Sequence, residues 1–117
     1  MELKLERQGD VHLIIAEGEM VTGEADILLK QAFDGILRGG DTRVVVDFSA
    51  VPYIDSSVLG QLVHGYSLLK KKGGGLKLLN PSPRILDLLS LTRLITIFEI
   101  HKDRGEAINS WKTTEAK

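Results

Sequence analysis

The chain has 117 residues, 43% of them hydrophobic, and no cysteine. A chain of this length buries roughly 65% of the surface it exposes when unfolded, enough for one domain spanning residues 1–117 without disulfides or a structural metal. The lack of cysteine excludes a thiolate nucleophile and a cysteine zinc site. Fifteen Lys and Arg against sixteen Asp and Glu leave a net charge of −1, so no global basic field exists to hold nucleic acid.

In chain order, Leu3 and Leu5 alternate with Lys4 and Glu6, which predicts a short edge strand, and Gly9-Asp10 supplies a turn into a more apolar strand from Val11 to Ala16. The Met1–Arg7 segment carries charge between its leucines, unlike a signal peptide, and no apolar run approaches the roughly 20 residues of a membrane helix, so the expectation is a soluble, cytoplasmic protein with no membrane span. From Ala25 the period changes. Ala25, Leu28, Leu29, Ala32, Phe33, Ile36 and Leu37 form one helical stripe, predicting a helix at about 24–38 that Gly39-Gly40 ends. The β-branched run Val44-Val45-Val46, framed by Arg43 and Asp47, reads as a central strand covered on both faces.

Asp55-Ser56-Ser57 then offers three helix-capping side chains ahead of the stripe Val58, Leu59, Leu62, Val63, Tyr66 and Leu69, predicting a helix at about 56–72. Lys70-Lys71-Lys72 complements the negative end of that helix and Gly73-Gly74-Gly75 terminates it. Leu76–Leu79 is a short strand. Pro83 opens a third helix at about 83–91, Ile95–His101 reads as the last strand, residues 104–112 as the last helix, and the polar tail 112–117 is expected to fray. The order ββαβαβαβα implies an α/β domain with a mixed sheet of four to five strands and about four helices packed on it.

Catalytic patterns are thin. His12, His64 and His101 are far apart and belong to no metal-binding spacing. The lysines at 70–72 precede the glycines, the reverse of a phosphate-binding loop, and helix termination explains them. Asp47 and Asp55 flank a loop with no histidine and no nucleophile elbow near Ser56, and Trp111 suits a core. These readings predict no metal, no cofactor and no enzymatic turnover. What stands out is Asp55-Ser56-Ser57. A cap uses one side chain, so the remaining hydroxyls are free to face a kinase. Phosphate at a helix N-terminus is favoured by the dipole and changes the surface charge by about −1.5 to −2, a switch that leaves the fold alone.

The stretch Val45-Val46-Asp47-Phe48-Ser49 through Val51-Pro52-Tyr53-Ile54-Asp55-Ser56-Ser57-Val58-Leu59-Gly60 resembles the signature of STAS domains, specifically bacterial anti-sigma factor antagonists: a hydrophobic strand, D-x-S, then a D-[ST]-[ST]-G-L-G loop. Glu17-Gly18-Glu19-Met20 resembles the family's G-E-[LI]-D segment, Pro83–Leu94 its third helix and following loop, and Ala107-Ile108 its last helix, so the resemblance covers nearly the whole chain.

The resemblance implies an antagonist that binds an anti-sigma factor which is also a GHKL-type serine kinase, frees sigma factor, is switched off by phosphorylation and is restored by a PP2C-type phosphatase. The family's phosphorylated serine falls on Ser56, with Ser57 the lesser candidate, and the implied partner-binding residues are Val21, Thr22, Asp55, Ser56, Ser57, Val58 and Gly60. Val58 stands where the family usually has Gly, which is expected to narrow the loop and put apolar surface beside Ser56. Val21 replaces the Asp that closes the G-E-[LI]-D segment. Two other readings stay open: a STAS scaffold that never cycles through phosphate, in a stressosome-like or lipid-transport complex, and, more remotely, a small nucleotide-binding α/β domain using the loop as an anion site.

Overall fold

The computed structural model describes residues 2–19 and 23–115. Its elements are β1 (Glu2–Gln8), β2 (Val11–Glu17), α1 (Ala25–Arg38), β3 (Arg43–Ala50), α2 (Ser56–Lys71), β4 (Gly75–Leu79), α3 (Pro83–Leu91), β5 (Glu99–His101) and α4 (Arg104–Glu115). The five strands form one mixed sheet in the order β1-β2-β3-β4-β5. β1 runs antiparallel to β2 through a two-residue turn in which Gly9 has φ +62°, a conformation open to glycine at little cost. The pairs β2–β3, β3–β4 and β4–β5 are parallel.

Helices cover both faces. Alternate residues of the central strands, Ile14, Val44, Val46, Phe48, Leu76 and Leu78, pack with α1, α2 and α3 in the larger core. The intervening Val11, Leu13, Val45 and Leu79 pack with Ala107 and Trp111 of α4. Two-sided cover is why residues 44–48 are buried without a break. It also buries two charged residues on the α4 side, Asp47 and Lys77. Lys77 is satisfied there: its ammonium meets Glu99 at 2.7 Å, donates to the Ser110 hydroxyl and lies 4.0 Å from the Trp111 ring centroid.

Two boundaries differ from the sequence expectations. The last strand is confined to Glu99–His101, because Arg93 adopts a left-handed conformation (φ +63°) and Leu94–Thr96 forms a 3-10 turn. Residues 95–98 swing the chain back to the sheet, and pairing begins only where Glu99 meets Lys77. α4 continues to Glu115, into the tail expected to fray, since Lys112-Thr113-Thr114-Glu115 contains no Gly or Pro to stop it.

Candidate functional site at the start of the second helix

Four parallel strands deliver their C-terminal ends to one side of the sheet, the side where loops of open α/β folds carry function. The loop from β3 to α2 is pinned there. Val51 and Ile54 are buried anchors, the Val51 amide donates to Phe48 O at 3.0 Å, and the Ser82 hydroxyl donates to Pro52 O at 3.0 Å. The same Ser82 oxygen accepts from the Ile85 amide at 3.3 Å, so it caps α3 while holding the neighbouring loop. Arg84 in the first turn of α3 stacks its guanidinium 4.6 Å from the Tyr53 ring centroid.

α2 begins with a division of labour. Asp55 is the N-cap in extended conformation, and its Oδ1 accepts from the Val58 amide at 3.1 Å and from the Ser57 hydroxyl at 2.9 Å. Ser57 is half-buried. Ser56 is exposed, and its hydroxyl bonds to no described residue. Of the three candidate side chains, two are tied to each other and the one between them is turned to solvent.

Val58 differs from expectation: its side chain is fully buried in the larger core, so it puts no apolar surface beside Ser56 and offers no side chain to a partner. The third residue of the helix faces the sheet, one turn before Leu62, and a valine fits there as core. Gly60 is exposed, and a Cβ placed there would meet nothing within 4 Å. Val21 and Thr22 lie outside the described residues. The segment leading toward them is tied in place by the Gly18 amide, which donates to Ala50 O at 3.0 Å.

Asp47 and Ser49, the D-x-S pair, are bonded to each other. Asp47 Oδ1 accepts from the Ser49 amide at 2.9 Å and its hydroxyl at 2.6 Å, Asn80 donates to Ser49 Oγ at 3.2 Å, and Arg104 stands 3.6 Å from Asp47 Oδ2. These contacts shape the end of β3. Asn80 holds φ +53°, a left-handed turn that asparagine tolerates. Among the described residues no three His, Asp or Glu side chains gather as a metal site. The latch through Ser82 and the Arg84–Tyr53 stack were missed in the sequence; Ser82 before Pro83 signals a cap, but nothing local signals its reach across to Pro52.

The STAS domain family matches residues 2–107 of this chain. The anti-sigma-B factor antagonist of Bacillus subtilis is 34% identical over 95 residues, covering 81% of this chain and 84% of that protein. The chain belongs to the STAS domain family. Among solved structures, a Thermotoga maritima chain described as a candidate anti-sigma factor antagonist superposes with a TM-score of 0.86 at 28% identity, covering 92% of each chain. The Bacillus antagonist SpoIIAA, solved in unphosphorylated and phosphorylated forms, matches at TM-scores of 0.74 and 0.76 and 23% identity, over 95% and 93% of this chain and 98% of each SpoIIAA chain, a likeness of fold. Among the described residues of this STAS domain, no helix is long and apolar enough to cross a membrane.

Proposed function

We propose that this STAS domain is an anti-sigma factor antagonist that binds an anti-sigma factor with GHKL-type serine kinase activity, frees sigma factor, and is switched off when that kinase phosphorylates Ser56. A PP2C-type phosphatase restores it. The protein acts by binding, with no turnover of its own, in the cytoplasm. The observation that carries this reading is the state of Ser56: exposed, and bonded to none of the described residues, at the first position of α2, between Asp55 and Ser57, which are bonded to each other. The names borne by its relatives support the role.

The switch needs no refolding. A phosphate on Ser56 projects from the positive end of a 16-residue helix, where the dipole favours it, while a partner seated on that end meets new charge. The docking surface under this reading comprises Asp55, Ser56, Ser57 and Gly60, to which the family resemblance adds Val21 and Thr22. Calorimetric titration of the cognate anti-sigma kinase tests it. Ser56→Ala binds as the wild type does, and Ser56→Asp loses several kcal/mol through repulsion and desolvation. Equal affinity for all three proteins contradicts the switch and favours the non-cycling scaffold.

A further inference from the structure

We propose that β1 is a self-recognition edge through which two copies of this chain pair antiparallel, centred on Leu5, into one continuous ten-stranded sheet. β1 lies at the end of the strand order with seven residues, far longer than β5, the three-residue strand at the opposite edge. An exposed edge of that length is a template for another strand.

The charges along β1 select both the partner and the register. Its residues run Glu2-Leu3-Lys4-Leu5-Glu6-Arg7-Gln8. In an antiparallel self-pair, side chains on the same face stand opposite each other only when the paired numbers sum to an even value. Pairing centred on Leu5 sets Leu5 against Leu5 and, twice each, Lys4 against Glu6 of the second copy, Leu3 against Arg7 and Glu2 against Gln8. Sliding by one strand step in one direction opposes Lys4 to Lys4 and Glu2 to Glu6; sliding the other way opposes Glu6 to Glu6. Opposite charges across strands stabilise and like charges destabilise, so the register centred on Leu5 is favoured over both of its neighbours, and it overlaps all seven residues of the strand.

The side-chain faces agree with that register. Leu3, Leu5 and Arg7 stand opposite Ala16, Ile14 and His12 of β2, on the face that α1 covers. α1 stops short of the edge: Leu5 is 57% exposed and borders a groove of about 330 Å³ lined also by Arg7, His12, Ala32, Gly35 and Ile36. A two-fold axis through Leu5 brings the two leucines together over the mouths of the two grooves. On the other face Glu6 also meets Arg104 at 3.4 Å, an exposed contact that leaves it available to Lys4 of the second copy. β2 separates this edge from β3, whose following loop carries Ser56, so both Ser56 sites stay open in the pair.

Sedimentation equilibrium of the full chain at low salt across a concentration series tests the pairing. The wild type shows a weak monomer–dimer equilibrium. Lys4→Glu and Glu6→Lys each weaken it by at least roughly tenfold by opposing like charges, and the double swap Lys4→Glu with Glu6→Lys recovers most of the loss. Thermal melts of all four proteins keep the comparison to folded chains. A wild type that stays monomeric throughout, or single variants that dimerise as well as the wild type, overturns the proposal.

Discussion

Asp55 uses a single carboxylate oxygen to hold both the Val58 amide and the Ser57 hydroxyl, and that economy leaves Ser56 unengaged. Removing the carboxylate exposes an orphan helix amide and frees a half-buried hydroxyl at once. Asp55→Ala therefore destabilises the fold by about 1 kcal/mol, within the usual range for a lost N-cap, whereas Ser56→Ala leaves stability nearly unchanged because no bond is lost. Urea unfolding of the two variants beside the wild type checks the contrast. Comparable losses for both would mean that Ser56, and not Asp55, caps α2. The same logic removes Val58 from the chemistry of the site: a fully buried side chain stabilises the helix from beneath and leaves the outer surface to Ser56.

At the scale of elements, α1 and α2 approach closely where Gly65 faces Phe33. A Cβ at Gly65 would lie 2.5 Å from Phe33 Cε2, and Phe33 is itself buried, with little room to yield. Gly65→Ala gains about 1 kcal/mol in helix propensity and loses about 1 to 3 kcal/mol to overpacking, so the variant is less stable than the wild type. Thermal melts read the sign, and a stabilised variant would show that Phe33 moves freely. The order of elements was legible in the sequence because each helix carries its own stripe and stop, as with Ala25–Leu37 before Gly39-Gly40, and because a covered strand such as Val44–Val46 looks unlike an edge strand such as Leu3–Leu5. Residues 95–98 were illegible for a physical reason. Their β-branched and aromatic side chains fit a strand, but strand pairing needs a neighbour, and β4 comes alongside only at Glu99. The site divided the same way: the hydroxyl cluster showed in the motif, while which hydroxyl stays free depended on the side-chain geometry of Asp55. Lys77 gave no hint of its burial, since its partners Glu99, Ser110 and Trp111 arrive from elements 22 to 34 positions later in the chain.

Across the whole molecule, β4, β5 and α4 are joined by a chain of charges that makes stability depend on pH. Glu99 meets Lys77 at 2.7 Å and His101 at 2.6 Å, and His101 meets Glu106 at 2.9 Å. Burial pushes the Glu99 carboxyl up, but the bonds from Lys77 and His101 prevail and hold it at about 2, below the ordinary 4.5. Burial works against the His101 cation, and the bonds to Glu106 and Glu99 raise its pKa above 6.5. The Glu99 contribution is present above pH 4.5 and fades as pH falls toward 2, whereas the His101 contribution is present below 6.5 and fades as pH rises through its raised value. Both act together between pH 4.5 and 6.5. Melting temperatures of the wild type and His101→Gln across pH should therefore differ most in that window and converge on the alkaline side; a constant gap would assign His101 a packing role alone.

At the start of α2 the Asp55 carboxylate is engaged by the Val58 amide and the Ser57 hydroxyl while the Ser56 hydroxyl faces solvent, and the central claim is that this hydroxyl is the switch. The most direct measurement is intact-mass spectrometry after incubation with ATP and the cognate anti-sigma kinase, applied to the wild type, Ser56→Ala and Ser57→Ala. One phosphate is expected on the wild type and on Ser57→Ala and none on Ser56→Ala; a phosphate that persists on Ser56→Ala, or its absence from all three, would contradict the account.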